Sequence, residues 1–320
     1  MLRSDSATTR PLRAAVIGVG AFGRHHATKY AAMAGVQLVA IADPSVEARA
    51  AAMAAFGVPT VSDWRDLLGK VDIVSVCSPA VTHAAIVRAF LNADADVLVE
   101  KPIATTLSEA DALIALAHAK GRVLTVGHQE RFVFARSGML DYEDVPLAIE
   151  CWREGPWTGR GADVSAVLDL MIHDLDLVHQ LLPGAVVAVQ AQGHAKRGRL
   201  ADEVSAHVQF ADGTQARLLA SRISDRRSRG MRAVYADGVI EIDFITRAVK
   251  NTTSKQLNAL DLEDPLGESV AAFVKAARLD AAALVRPEEA RRALETALLI
   301  DEAAAPRAGA GIADEYAIIA

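Results

Sequence analysis

The segment VIGVGAFG, residues 16–23 of this 320-residue chain, is the clearest indication of its fold. It places Gly18, Gly20 and Gly23 directly after an apolar run, in the spacing of a turn between a strand and a helix that binds a dinucleotide. The first glycine allows the tight turn, the second lets a pyrophosphate approach the backbone, and the third permits close packing of helix on strand. The segment therefore predicts the start of a Rossmann fold.

A carboxylate follows this turn at the expected distance. Asp43 ends the apolar segment LVAIAD, residues 38–43, and lies 20 residues after Gly23. A side chain at this place accepts hydrogen bonds from the adenosine ribose, and its charge repels a 2′-phosphate. We predict NAD as the cofactor, with NADP less favoured, and Ala21 and Phe22 at the helix N-terminus that faces the pyrophosphate. A tight turn followed by a capping aspartate does not explain both features in register.

The pattern of apolar and polar residues changes near residue 128. Before it, short apolar runs alternate with Ala-rich amphipathic segments, which indicates a doubly wound parallel sheet. After it, longer alternating strands are joined by Asp-Gly turns, as in residues 204–221 and 231–244. We predict an α/β fold with an NAD-binding Rossmann domain at 1–128. We predict that residues 129–320 form an α+β domain with a mostly antiparallel open sheet, and that this domain binds the substrate and forms the oligomer contacts.

The composition limits the classes of partner that this protein is expected to bind. A net charge of −6, with acidic and basic residues interspersed, gives no general attraction to nucleic acid or to an anionic membrane. No apolar run approaches the roughly 18–20 residues of a membrane span, and the first residues lack a secretory signal. Cys77 and Cys151 form no CxxC pattern and indicate neither a disulfide framework nor a thiolate metal site. We expect a cytoplasmic protein that binds small molecules and forms a homodimer or homotetramer through the second-domain sheet, whose open face needs cover.

Two predicted strands end in polar residues. Ser78, Pro79 and His83 follow the fourth strand, and Glu100 and Lys101 end the fifth. The carboxyl ends of strands in a doubly wound sheet form the ligand crevice, so these residues are expected to lie near the cofactor. A lysine at a strand end is usually only solvated. Beside a nicotinamide, however, its ammonium can stabilise negative charge on a substrate oxygen.

A polar stripe runs through the apolar segment AVLDLMIHDLDLVHQLL, residues 166–182. On a helix, Asp169, His173 and Asp176 would share one face. The stripe is either the solvated side of an amphipathic helix or the wall of a site, and the segment itself does not choose between them. The other histidines show no matching ligand pattern, so we predict no metal site.

Five separated motifs carry a resemblance to a known family. They are VIGVGAFG, CSPAVTHAAIVRAFL, VLVEKPIATTLSEADALI, VGHQERF and LDLMIHDLDL. Their order and spacing resemble the glucose-fructose oxidoreductase / myo-inositol dehydrogenase (Gfo/Idh/MocA) family. The resemblance implies hydride transfer between a nicotinamide and a sugar or cyclitol carbon, with Lys101, Asp169 and His173 as the catalytic set.

In this interpretation, the polar stripe faces the nicotinamide. His173 takes the hydroxyl proton, Asp169 orients the imidazole, and Lys101 polarises the oxygen. Asp176 either contacts the substrate or supports the helix.

Two basic segments narrow the resemblance. REGPWTGR, residues 153–160, and SRISDRRSR, residues 221–229, are similar to the branch that contains UDP-N-acetylglucosamine 3-dehydrogenases. This branch implies a nucleotide sugar oxidised at carbon 3, with Arg153, Arg160 and Arg222 as candidate diphosphate ligands. Solvated arginine-rich loops are the alternative. Two other functions remain open, a free-sugar or myo-inositol dehydrogenase and an NAD-binding regulatory protein without catalysis.

Overall fold

The first of two sheets is parallel throughout. In the computed structural model, which describes residues 10–159, 161–278, 283 and 285–305, six strands lie in the order β3-β2-β1-β4-β5-β6. The strands are β1 (Leu12–Ile17), β2 (Val36–Ala42), β3 (Thr60–Val61), β4 (Ile73–Val76), β5 (Asp96–Val99) and β6 (Leu124–Val126). The sheet order reverses between β1 and β4, which opens a ligand crevice at the carboxyl ends of these strands. The predicted doubly wound parallel sheet is confirmed.

Four helices connect these strands, and local sequence signals explain where two of them end. They are α1 (Ala21–Ala32), α2 (Val46–Phe56), α3 (His83–Asn92) and α4 (Leu107–Lys120). The side chain of Ser45 accepts a hydrogen bond at the start of α2, and that of Thr106 does so at the start of α4. Gly57 and Gly121 end these helices in the left-handed conformation. No helix in the described ranges is long and apolar enough to cross a membrane.

The second sheet has seven strands in the order β13-β12-β11-β7-β10-β9-β8. The remaining elements are α5 (Glu130–Arg136), β7 (Ala148–Glu154), a π-helical turn (Val167–Met171), α6 (Ile172–Leu181), β8 (Val186–His194), β9 (Glu203–Phe210), β10 (Gln215–Ser221), β11 (Ser228–Tyr235), β12 (Gly238–Asp243), β13 (Val249–Asn251), α7 (Pro265–Ala277) and α8 (Pro287–Ala304). β7 and β10 pair in parallel, and the other neighbours are antiparallel. The predicted mostly antiparallel sheet is confirmed, as are the hairpins at Asp212-Gly213 and Asp237-Gly238.

The last part of the chain contributes to both layers. Helix α8 packs on α6 and β8 beside the second sheet. Helix α7 instead joins the hydrophobic core of the first sheet, where Val270 and Phe273 belong to one cluster with Ala14 and Tyr30. Burial of this apolar helix face is worth a few kcal/mol for the two larger side chains, at about 1.5–3 kcal/mol each. The two sheets are therefore tied together by more than the chain connection near residue 128.

Candidate active site

A cavity of about 1310 Å³ is lined by residues from both sheets. Typical small-molecule pockets measure roughly 300–1,000 Å³, so this one has room for a dinucleotide and a second ligand. Its walls include the glycine-rich turn, the ends of β2, β4 and β5, the segment 153–158 and the π-helical turn.

The glycine-rich turn has the geometry that a bound pyrophosphate needs. Gly18 has a φ of +82°, and a Cβ atom there would lie 2.8 Å from the carbonyl oxygen of Cys77. A Cβ on Gly23 would lie 1.8 Å from the carbonyl oxygen of Gly18, so α1 can pack on the turn only with glycine at this position. Gly20 has open space around its Cα, and Ala21 and Phe22 line the cavity beside it. The residues present thus fit a dinucleotide at the N-terminus of α1.

Asp43 lies across the same turn. Its Oδ2 accepts a hydrogen bond from the backbone N–H of Val19 at 2.8 Å, and its Oδ1 accepts one from Ser45 N–H at 2.8 Å. The side chain is held in one orientation at the cavity wall. A fixed carboxylate at this point can accept hydrogen bonds from ribose hydroxyls.

Ser78 and Pro79 line the cavity directly after β4. His83 begins α3 below them and is buried. Its Nδ1 lies 2.7 Å from the carbonyl oxygen of Pro102, and its Nε2 lies 2.9 Å from that of Ser78. Burial lowers the pKa of His83. The imidazole thus joins the β4 loop to the β5 loop, which places it beneath the cofactor crevice.

Glu100 is part of a buried hydrogen-bond chain. His26 on α1 bonds its Oε1 through Nε2 at 3.0 Å, and the other ring nitrogen of His26 lies 3.0 Å from Ser75 Oγ. Burial raises the pKa of Glu100, but the hydrogen bond from His26 and the charge of Lys101 outweigh that effect, so the pKa lies below its ordinary value. These hydrogen bonds fix Glu100 at the end of β5 and therefore also the backbone of the next residue, Lys101.

Lys101 and Asp169 form an ion pair at the cavity wall. The Lys101 ammonium donates to Asp169 Oδ1 at 3.0 Å and to the Asp169 carbonyl oxygen at 2.5 Å. In the part of the chain that the structure describes, Asp169 has no hydrogen bond to His173, although a role in orienting this imidazole was expected. The extra residue of the π-helical turn changes the i, i+4 relation of a regular α-helix, so the carboxylate faces the lysine.

His173 lies at the second position of α6 and lines the cavity. Its Nδ1 is buried and has no hydrogen-bond partner among the described residues, which leaves Nε2 as the ring nitrogen open to the cavity. Burial lowers the pKa of His173 well below its ordinary value, and the charges of Lys101 and Arg153 lower it further. The imidazole is therefore neutral near pH 7 and able to accept a proton.

Arg153 lines the cavity but is itself buried between two carboxylates. It donates to Asp174 Oδ1 at 2.7 Å and to Glu130 Oε1 at 2.6 Å, and a further donor contacts Glu130 Oε2. These contacts occupy its fork of donors. Because Glu130 and Asp174 neutralise the charge of Arg153 within the protein, the geometry argues against its expected role as a diphosphate ligand.

Arg222 supports the segment that closes one side of the cavity. Its guanidinium donates to Asp202 Oδ1 at 2.8 Å and to the carbonyl oxygens of Gly161 and Val164 at 2.7 and 2.9 Å. It also lies over the Trp157 ring, 5.0 Å from the ring centroid. Arg222 therefore stabilises the segment that contains Gly161 and Val164. Arg160, the third arginine of that prediction, lies outside the described residues.

Asp176 is buried away from the cavity. Its carboxylate pairs with Arg131, with Nε to Oδ2 at 2.9 Å and Nη2 to Oδ1 at 2.5 Å. Of the two roles considered for this residue, the geometry favours support of the helix over contact with a substrate, because no atom of Asp176 lines the cavity within the described part of the chain.

Sequence reasoning missed several residues of the cavity. Glu130 lies beside Arg153, Arg227 ends the loop between β10 and β11, and Arg229 is the second residue of β11. Arg229 lies 3.9 Å from Glu130 at its nearest ion-pair distance, and Arg227 has no ion-pair partner within 4 Å among the residues described. The arginine-rich segment is evident in the sequence, but its pattern does not show which guanidinium groups face inward. No three His, Cys, Asp or Glu side chains are grouped as metal ligands in the described ranges.

Family models match nearly the whole length of both sheets. Residues 12–128 match the oxidoreductase family with an NAD-binding Rossmann fold, and residues 133–241 match the GFO/IDH/MocA C-terminal domain. A UDP-N-acetylglucosamine 3-dehydrogenase from Acidithiobacillus ferrooxidans is 36% identical over 239 residues, which cover 74% of this chain and 76% of the relative. An inositol 2-dehydrogenase from Acidothermus cellulolyticus is 33% identical over 202 residues, or 58% of each chain.

Solved structures show the same architecture. The UDP-N-acetylglucosamine 3-dehydrogenase from A. ferrooxidans superposes with a TM-score of 0.84 at 32% identity, covering 92% of this chain and 97% of that one. The WlbA dehydrogenase from Chromobacterium violaceum, in complex with NADH and UDP-GlcNAcA, has a TM-score of 0.81 at 18% identity, covering 93% and 94% of the two chains. The motifs, both sheets and these matches agree, and the chain belongs to the GFO/IDH/MocA family of oxidoreductases.

Proposed function

We propose that this protein is an NAD-dependent dehydrogenase that oxidises a sugar hydroxyl, at carbon 3 of a UDP-N-acetylhexosamine. The observation that carries the proposal is the arrangement of one cavity. A dinucleotide-binding turn lies at one end, and Lys101 and the open Nε2 of His173 lie where the strand ends meet the second sheet. The similarity to a UDP-N-acetylglucosamine 3-dehydrogenase supports the choice of substrate.

The first element of the proposal is the choice of cofactor. Gly18, Gly20 and the start of α1 would hold the pyrophosphate, and Asp43 would accept hydrogen bonds from the adenosine ribose. The residue after Asp43 is Pro44, so no arginine stands there to receive a 2′-phosphate. These features favour NAD over NADP. Bound NAD supplies the hydride acceptor.

The second element is proton and charge control by the protein. His173 Nε2 accepts the proton of the substrate hydroxyl, while the hydride leaves the carbon that carries this hydroxyl. Lys101 donates a hydrogen bond to the oxygen and stabilises the negative charge that develops there. Asp169 holds the ammonium in place through the contacts at 2.5 and 3.0 Å. Burial of His173 keeps its imidazole neutral before the reaction, as a base must be.

The third element is the diphosphate. Arg153 and Arg222 are neutralised by internal carboxylates, whereas Arg227 and Arg229 line the cavity with weaker or no pairing among the described residues. Guanidinium groups bind phosphate oxygens in bidentate fashion. We therefore assign the diphosphate to Arg227 and Arg229.

Turnover with a panel of substrates tests the proposal. NAD reduction is measured with UDP-N-acetylglucosamine, N-acetylglucosamine and myo-inositol, with a trap for the ketone because oxidation can be unfavourable at equilibrium. We expect the UDP-sugar to be preferred and UDP to compete with it. Efficient oxidation of myo-inositol without inhibition by UDP would support the second candidate, an inositol dehydrogenase, which the 33% identity to such an enzyme also favours. Binding of NAD without turnover of any sugar would indicate the regulatory alternative.

The open face of the second sheet supports a homodimer or homotetramer. Its outward side chains include the half-buried Trp152 and Leu219 among charged neighbours such as Arg217. Large apolar side chains on a sheet face are commonly covered by a partner. The mass of the protein in solution, measured by light scattering for the parent and for Trp152→Lys, tests this assembly. A monomeric parent protein would contradict it.

A further inference from the structure

His128 lies behind His173 and is not used in the mechanism above. It follows β6 and is 1% exposed, and its ring centroid lies 6.2 Å from that of His173 with the planes at 86°. Both ring nitrogens of His128 and Nδ1 of His173 are buried without a hydrogen-bond partner among the groups that the structure describes. Buried polar atoms nearly always have a partner, so an unpaired nitrogen on the proposed base and two more on its neighbour need an explanation.

A buried carboxylate lies beside one ring nitrogen of His128. Asp176 Oδ2 lies 4.0 Å from Nδ1 of His128, and both side chains are buried. Arg131 fixes this carboxylate through two hydrogen bonds and also contacts Glu289 on α8. A carboxylate beside a neutral imidazole favours hydrogen on the nearer nitrogen. Asp176 therefore favours the form of His128 with hydrogen on Nδ1, which leaves Nε2 as an acceptor.

The same reasoning applies to His173. A neutral imidazole carries one N–H, so Nε2 of His173 can accept a proton from the substrate only when Nδ1 holds the hydrogen. That Nδ1–H is buried and needs an acceptor. Nε2 of His128 can serve through one internal water, which a site with several unpaired polar atoms can hold.

We propose that Asp176 and His128 act in series as positioning residues that hold His173 in the tautomer whose Nε2 accepts the substrate proton. This inference rests on the proposed role of His173 as the base. During turnover the hydroxyl proton moves to Nε2 and the hydrogen on Nδ1 stays in place, so His173 becomes an imidazolium and no further proton transfer is required. In the opposite tautomer, an N–H would face the substrate hydroxyl and could not accept its proton.

The direct test is the tautomer of His173, read from long-range ¹⁵N–¹H NMR spectra of the protein without substrate. We expect hydrogen on Nδ1 in the parent protein and a shift toward Nε2 in His128→Phe. His128→Gln should retain Nδ1–H on His173, because the glutamine carbonyl can take the place of the Nε2 acceptor. A parent protein with hydrogen on Nε2 would overturn the inference, as would a His128→Phe variant with an unchanged tautomer.

Kinetics provide a second measurement. His128→Phe should lower kcat about 10- to 100-fold, the size typical of partners that orient a functional imidazole, with His128→Gln recovering most of the rate. His179→Phe is the matched control, since His179 is a buried histidine with an unpaired Nδ1 on the helix that carries His173, but it bonds Thr296 away from the cavity. Its kcat should change less than about twofold, within the effect of a change outside the site. Equal losses in both phenylalanine variants would overturn the inference.

The NMR measurement needs no substrate and does not depend on which sugar is oxidised. If His128→Phe does not fold, the parent tautomer and the His128→Gln variant still decide the matter. A protein with the expected tautomer but no turnover of any sugar would contradict the proposed function and leave the role of His128 supported.

Discussion

The two ends of the cavity are built by different means. At the cofactor end, the shape comes from main chain, with Gly18 and Gly23 allowing a close turn and Asp43 bonded to backbone N–H groups. At the substrate end, the shape comes from buried ion pairs, such as Arg153 with Glu130 and Asp174. Main-chain sites need particular residues at a fixed local spacing. Ion-pair sites need only complementary charges brought together by folding.

This difference explains which predictions the geometry supports. The spacing of the glycines and of Asp43 places a dinucleotide site directly. An arginine in the sequence looks the same whether it is free to bind phosphate or neutralised by a buried carboxylate. Arg153 and Arg222 are of the second kind, so the basic segments do lie at the cavity wall, but the sequence does not show which of their arginines are free of internal partners.

The largest effect is expected where the two ends meet. His173→Ala should lower kcat about 10²- to 10⁴-fold, because it removes the group that accepts the proton. The dissociation constant for NAD, measured by calorimetry, should change little. His118→Ala, in the exposed last turn of α4, is the control. Near-normal turnover in His173→Ala would remove this residue as the base.

The next experiment separates structure from substrate binding at the substrate end. Arg153→Met leaves Glu130 and Asp174 buried without their partner and should reduce the free energy of unfolding by about 3–5 kcal/mol. Urea denaturation measures this loss. The exposed Arg226→Met should change stability by no more than about 0.5 kcal/mol. A fully stable Arg153→Met protein with a raised KM would restore Arg153 as a substrate ligand.

Asp43 tests the cofactor end. Replacing this carboxylate by serine removes charge-assisted hydrogen bonds worth about 1.5–3 kcal/mol each, so Asp43→Ser should weaken NAD binding about 10- to 100-fold. The affinity for NADP should rise relative to that for NAD, because the charge that repels the 2′-phosphate is lost. Dissociation constants for both dinucleotides provide the comparison. Tighter binding of NADP than NAD by the parent protein would contradict the assignment.

Acidification tests three buried histidines, two that line the cavity and one that lies outside it. Burial lowers the pKa of His83 and His173, and it lowers that of His179 to about 4. The folded state then binds fewer protons than the unfolded state, whose histidines titrate near 6.5. Stability should therefore be lost as pH falls from about 6.5 toward 4, by at most about 1.4 kcal/mol per pH unit for each group. His179→Gln should flatten this dependence, and an unchanged slope would contradict the buried neutral state.

The smallest effect concerns the diphosphate. Arg227→Ala should raise the KM for a UDP-sugar about three- to tenfold, since one charge-assisted contact at a solvated wall is worth about 1 kcal/mol. The KM for a free sugar should not change. Arg226→Ala replaces the neighbouring exposed arginine and is the matched control. Equal effects on both substrates would exclude a phosphate contact at Arg227.

The polar stripe on the 166–182 segment shows how far local patterns reach. Apolar periodicity correctly predicts a buried helical segment, and the structure shows that its residues Asp169 and His173 line the cavity. It does not predict the π-helical turn at Val167–Met171, which directs the carboxylate of Asp169 toward Lys101. A π turn depends on how the segment packs against its neighbours, and the same residues fit an α-helix equally well in isolation.

Local patterns were enough to predict the doubly wound sheet, the glycine-rich turn with its carboxylate and the hairpins of the second sheet, because each depends on residues close together in the chain. The family followed from five such local motifs taken in order. Folding decided the partners of the buried charges. Arg153 meets Glu130 across 23 residues, and Arg131 meets Glu289 across 158. Folding also decided that α7, which follows the second sheet in sequence, covers the first. Apolar burial and ion pairing carry no information about sequence separation, so such contacts leave no local pattern to detect.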